Sequence, residues 1–212
     1  WRRCAPLHRS PDKPAIPAKH EDGRQMMRVF VALPLPDAVA GVLAHLVQQS
    51  DQSEIRWVAP ANFHLTLRFL GDISVDDVKS VSVACARAAR IAEPLRLVVE
   101  GTGAFPGWHR PSVLWAGVSG ETASLRQLAT GLEEELVRAG FPPEQRPFRA
   151  HVTLGRCRSG CSKELCQRLQ ATGEQLHEPW LADTMVIYQS ILSRRGPSYV
   201  ALDSIALGGA PR

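Results

Sequence analysis

Two stretches of the chain, NFHLTLRFLGD at residues 62–72 and FRAHVTLGR at 148–156, carry the same alternation of histidine, apolar residue, threonine and leucine. Successive side chains of an extended strand point to opposite faces. His64 and Thr66 therefore share one face and Leu65 and Leu67 the other; His151 and Thr153 stand likewise against Val152 and Leu154. Each strand needs a covered apolar side and leaves a polar side open. With seven His, seven Thr and 23 Leu in 212 residues, a shuffled chain would hold roughly 0.03 copies of His-x-Thr-Leu. Two copies thus point to two related halves, each contributing one histidine strand to an open sheet face.

The flanking sequence supports that division. In the first half, RVFVALPLP reads as a strand at about 28–33, and a helix at 36–49 sets Val39, Val42, Leu43, Leu46 and Val47 on one face. The strand with His64 follows at 64–71, then a helix at 75–92 with Val78, Val81, Cys85 and Ala88 in register. In the second half, strands near 95–100 and 112–118 lead to a helix at 121–139, which spaces Leu125, Leu128, Leu132 and Leu136 and stops at Gly140. The strand with His151, a helix near 162–172 and a terminal strand pair around MVIYQSILS and YVALDSIAL complete the second passage, with Gly196-Pro197 as their turn. The pattern is α+β: an internal duplication into two pseudo-symmetric lobes.

Residues 1–25 are rich in proline and charge and have no apolar periodicity, so they read as a disordered extension to a domain at 26–212. They also hold six Lys/Arg and three Asp/Glu, most of the chain's formal charge of +4. The remaining domain is close to neutral, so bulk charge carries no case for nucleic-acid binding. No run approaches the roughly 20 apolar residues of a membrane span, and the start lacks the apolar region of a secretory signal. Five cysteines, an odd number, fit reduced thiols in a cytoplasm. The spacing of Cys157, Cys161 and Cys166 with His177 matches no common zinc pattern, and Cys166 fits the buried face of a short helix.

Paired histidines and hydroxyls suit a phosphodiester. One neutral imidazole can take a proton while a second, protonated, gives one, and threonine hydroxyls can donate to non-bridging phosphate oxygens. Two histidines without a matched carboxylate or thiolate make a poor metal site, so a reaction without metal or cofactor is expected. Arg149, two residues before His151, shares its strand face by alternation and could add charge for the phosphate. By the same count Arg68 falls on the His64 face and Arg156 on the face away from His151. Arg56, Arg110, Arg146 and Arg158 are candidates for a basic rim. Phe63, Trp115 and Tyr199 are candidates for base stacking, although Trp115, inside the apolar run SVLWAGV, reads better as core.

The motifs HLTL at 64–67 and HVTL at 151–154, together with RVFVALPLP, NFHLTLRFLGD, PSVLWAGV, FRAHVTLGR and GPSYVALDSIAL, resemble the 2H phosphoesterase superfamily, and within it the RNA 2′,3′-cyclic phosphodiesterases, historically called 2′-5′ RNA ligases. The resemblance spans about residues 27–208. It implies two lobes, each an antiparallel sheet with helices on its outer face, around a central cleft. It also implies hydrolysis of RNA 2′,3′-cyclic phosphate ends, or of small cyclic nucleotides, to 2′-phosphomonoesters. On that pattern His64 is the proton donor, His151 the proton acceptor, and Thr66 and Thr153 hold the phosphate. The motifs by themselves do not say which histidine is acid and which is base. A sister enzyme for 2′-5′ oligonucleotides, or a non-catalytic nucleotide- or RNA-binding module, would share the cradle. A monomeric, cytoplasmic protein is expected.

Overall fold

A computed structural model describes residues 25–48, 55–158, 160–193 and 196–208. The extension at 1–25 lies outside them except for Gln25, whose carbonyl accepts from the Val75 amide at 3.0 Å. The elements run β1 (Met26–Pro34), α1 (Asp37–Gln48), β2 (Ile55–Trp57), β3 (His64–Ser74), α2 (Val78–Ala89), β4 (Leu95–Phe105), β5 (Val113–Gly120), α3 (Thr122–Arg138), β6 (His151–Cys157), α4 (Lys163–Gly173), β7 (His177–Ala182), β8 (Thr184–Ser193) and β9 (Gly196–Ala206).

Alternation builds the strands and helical spacing the layer behind them. Val29, Val31 and Leu33 of β1 are fully buried, as are Leu65 of β3 and Val152 of β6. Leu125, Leu128, Leu132 and Leu136 form the buried stripe of α3, which ends where Gly140 takes a φ of +95°. The expected face of α1 is narrower than its spacing suggested: Val39, Leu43, Leu46 and Val47 are buried, but Val42 is 38% exposed. It sits at the margin of the apolar stripe, beyond the width one sheet face can cover.

The strands form one curled antiparallel sheet in the order β7-β4-β5-β6-β3-β1-β8-β9, with β2 added to the edge of β6. The architecture is α+β, and the two lobes meet at the join of β3 and β6. That join is a single pair, Leu65 with Val152, each the residue between the His and the Thr of its motif. The two sheets expected from the duplication are therefore halves of one sheet, hinged at the motifs. The terminal hairpin β8–β9, which follows the second passage in sequence, returns to the first lobe beside β1. The helices also cross over: α1 packs toward β7, and α3 toward β3 and α2.

Candidate active site

Each histidine opens its strand, and each is oriented in the same way. His64 Nδ1 lies 2.7 Å from the carbonyl of Asn62, and His151 Nδ1 lies 2.7 Å from the carbonyl of Arg149. A carbonyl only accepts, so Nδ1 carries the proton in both rings. Nε2 is then a free lone pair in the neutral ring and an N–H donor in the charged one, the two states an acid/base pair exchanges. The antiparallel pairing of Leu65 with Val152 sets His64 and Thr153 across from one another, and Thr66 and His151 likewise. Thr66 and Thr153 are half-buried, and neither hydroxyl has a protein partner among the described residues.

Past the threonines, both strands break alternation at the same place. On β3, Arg68 pairs with Val31 and Thr66 with Ala32, so Leu67 is an extra residue; on β6, Gly155 pairs with Leu114 and Thr153 with Trp115, so Leu154 is extra. These matching bulges re-aim everything after them. Leu154 and Gly155 are both buried, and Arg156 turns out to the His151 face, where its charge acts on both His151 and Tyr199. On β3 the residues after Leu67 turn the same way: Arg68, matching Gly155, goes under the helices and Phe69, matching Arg156 and 57% exposed, takes the open face. The faces assigned to Arg68 and Arg156 by simple alternation are thus both reversed. Arg68 is 9% exposed; its Nε donates to Glu133 on α3 at 2.5 Å, and its other nitrogens reach the carbonyls of Phe69 and Pro142.

The family model described as LigT like Phosphoesterase matches this chain twice, at residues 33–115 and again at 117–199. The chain belongs to the LigT-like phosphoesterase family. The double match divides it as the two motifs do. Relatives include proteins named RNA 2′,3′-cyclic phosphodiesterase from Aeropyrum pernix, 34% identical over 74% of this chain and 89% of the relative, and from Thermus thermophilus, 31% identical over 86% and 91%. Among solved structures, a Thermus thermophilus protein aligns with a TM-score of 0.72 at 28% identity over 86% of this chain and 99% of that one. E. coli LigT complexed with 3′-AMP aligns with a TM-score of 0.69 at 28% identity, over the same shares.

In this LigT-like phosphoesterase the two histidines lie in unequal surroundings. His64 rests on Phe30, with ring centroids 4.8 Å apart, and meets the edge of Tyr199 at 5.3 Å. Burial lowers its pKa to about 4, against the raising effect of the Asn62 hydrogen bond and with a smaller lowering push from His151. The pKa of His151 is also lowered, by burial first and by the Arg156 charge, while the Arg149 carbonyl opposes the shift. His151 is flanked by Phe105 at 5.1 Å and Trp115 at 6.3 Å.

Those rings correct two expectations and agree with a third. Phe63 is 6% exposed and belongs to the core rather than to the site. Trp115 is half-buried on the His151 side, its ring over Gly103, where any Cβ would collide with it. Tyr199 does face a histidine, in company with Phe30 and Tyr188. Arg149 precedes β6 in irregular backbone, so strand alternation does not place it. It reaches the site differently, its guanidinium lying 5.7 Å from the Phe105 ring that also meets His151.

The cysteines give another correction. Cys157 and Cys161, four residues apart, form a disulfide where free thiols were expected, because their Cα atoms lie 6.1 Å apart, within bridging reach. Cys85 is a free, buried thiol, Cys166 is buried, and Cys4 lies outside the described residues. No three His, Cys, Asp or Glu side chains converge to hold a metal ion, and no helix is long and apolar enough to cross a membrane, among the described residues.

A stability measurement follows from His64. A native pKa of about 4 against an unfolded value of 6.5 means that the unfolded chain binds more protons between those values. Stability from this group is therefore full above pH 6.5 and is lost as the pH falls toward 4, by about 3 kcal/mol over the whole window. Urea unfolding at pH 7.5 and 4.5 should show a smaller acid loss for His64→Gln than for the unsubstituted protein. Parallel losses would exclude His64 as the group responsible.

Proposed function

We propose that the chain hydrolyses 2′,3′-cyclic phosphate ends of RNA to 2′-phosphomonoesters, without a metal ion, through His64 and His151. The observation that carries this reading is the matched orientation of the two rings: both hold Nδ1 on a backbone carbonyl two residues upstream and keep Nε2 for the open face. The names of the relatives support the substrate.

In the proposed step, His151 Nε2 takes a proton from water as its oxygen attacks phosphorus. The bond from phosphorus to O3′ breaks, and His64 Nε2–H gives its proton to the departing oxygen. One water is added, and exchange with solvent returns both rings to their starting states. Thr66 and Thr153 donate to the non-bridging oxygens, with Arg156 beside His151 and Arg149 further out. Burial keeps both rings largely neutral in the free protein at pH 7, so the acid form of His64 has to be favoured by the bound anion itself.

The test is incubation with a short RNA ending in a 2′,3′-cyclic phosphate, with EDTA present, followed by identification of the product. A 2′-phosphate end, formed at the same rate with and without EDTA, is expected. A 3′-phosphate would reverse the leaving group and the roles of the histidines. Activity lost to EDTA and restored by zinc or manganese would overturn the metal-free step. No turnover would favour the binding module or a sister substrate.

A further inference from the structure

The short strand β2 pairs with the end of β6 so that Arg56 lies directly opposite Arg156. Opposed residues of an antiparallel pair project from the same face, and like charges there are destabilising unless something answers them. Among the described residues nothing does: neither guanidinium has an acidic partner there, in contrast to Arg68, held by Glu133 and Glu144, and Arg28, held by Asp72. Arg156 acts electrostatically on His151 and Tyr199, so its charge belongs to the catalytic face. Arg56 stands one strand further out and is exposed. It reaches toward the start of β9, where a Cβ on Gly196 would come 3.5 Å from its guanidinium. The start of β9 is tied to the site as well, because Asn62 donates from Nδ2 to the Pro197 carbonyl at 2.7 Å. Two unneutralised guanidiniums therefore extend outward from the histidines, Arg156 on β6 and Arg56 on β2.

We infer that Arg56 forms a second phosphate subsite, which receives the phosphodiester on the 5′ side of the terminal nucleotide while Arg156 attends the cyclic phosphate. This rests on the proposed reaction and adds a substrate class to it: oligoribonucleotides are preferred to mononucleotides. Arg56 binds substrate at a remote phosphate and takes no part in proton transfer, so it governs KM rather than kcat.

The test compares adenosine 2′,3′-cyclic phosphate with the diadenosine ending in the same cyclic phosphate. Arg56→Gln should raise KM about tenfold for the dinucleotide, the effect of losing one charged hydrogen-bonding contact. It should leave kcat unchanged and the mononucleotide constants within about twofold. Arg56→Lys should restore part of the loss, and the salt dependence of dinucleotide binding should become shallower in Arg56→Gln. Equal losses on both substrates would put Arg56 at the cyclic phosphate and overturn the subsite, as would no loss on either. Equilibrium binding of the 2′-phosphorylated dinucleotide and mononucleotide to the same variants reads the subsite independently of turnover. A protein that turned over neither substrate would refute the proposed reaction, and the Arg56 effect on dinucleotide binding would still decide the subsite.

Discussion

Replacing either His151 or His64 with alanine should lower kcat by about 10²–10⁴-fold, the range for one positioned acid or base. KM should move little, because the proton transfers develop in the transition state and not in the bound ground state. The ring that each variant loses leaves a backbone carbonyl at Asn62 or Arg149, both beside the open cleft, where water can replace the missing Nδ1 donor. A well-folded, inactive protein is thus the expected outcome. The two variants can be told apart by the leaving group. A phosphodiester that releases an acidic phenol needs no proton donor, so it should recover most of the rate in His64→Ala and almost none in His151→Ala. The opposite pattern would exchange the roles. Full activity of either variant on the cyclic phosphate would remove that histidine from the chemistry.

The parts of the fold that were legible are those where period-2 or period-3.6 patterning persists without interruption. The His-x-Thr-Leu segments of β3 and β6 and the buried leucines of α3 could be read because each residue there obeys its local period. Gly196-Pro197, expected as the turn before the last strand, instead lies inside β9, paired with Ser193 and Leu192. What escaped has specific causes. β2 is the tripeptide Ile55–Trp57, too short to show a period. β7 contains Pro179, which argues against a strand, yet it lies at the sheet edge, where proline is tolerated. A one-residue bulge leaves no signature in composition, although it inverts every assignment beyond it. The Cys157–Cys161 bridge depends on the distance between their Cα atoms in the fold, which spacing alone does not specify. The paired histidines were readable from two tetrapeptides, whereas the walls of the cleft around them were not.

The bulges make Arg156, rather than Arg68, the arginine whose loss should matter to catalysis. The two motifs are near copies, so something beyond them must make the halves unequal, and the bulged strands supply it. At matching positions the first lobe presents Phe69 and the second Arg156, while Arg68 and Gly155 turn inward. Gly155 is constrained there, since a Cβ would come within 2.6 Å of Ile55 and 2.8 Å of Trp57. A cation therefore stands on the His151 side, where it can take up charge on the phosphoryl oxygens during attack and, adding to the larger effect of burial, favours the neutral His151 that the proposed base requires. Arg156→Ala should cost about 10²–10³-fold in kcat/KM, comparable to losing one preorganised donor to a developing oxyanion. Arg156→Lys should recover only part of it, because an ammonium lacks the planar fork that meets two phosphate oxygens. Steady-state rates on the cyclic phosphate, with urea unfolding to confirm the fold, decide the matter. A large catalytic loss in Arg68→Met with little in Arg156→Ala would restore the simple alternation and show that the bulges do not set the polarity of the cleft.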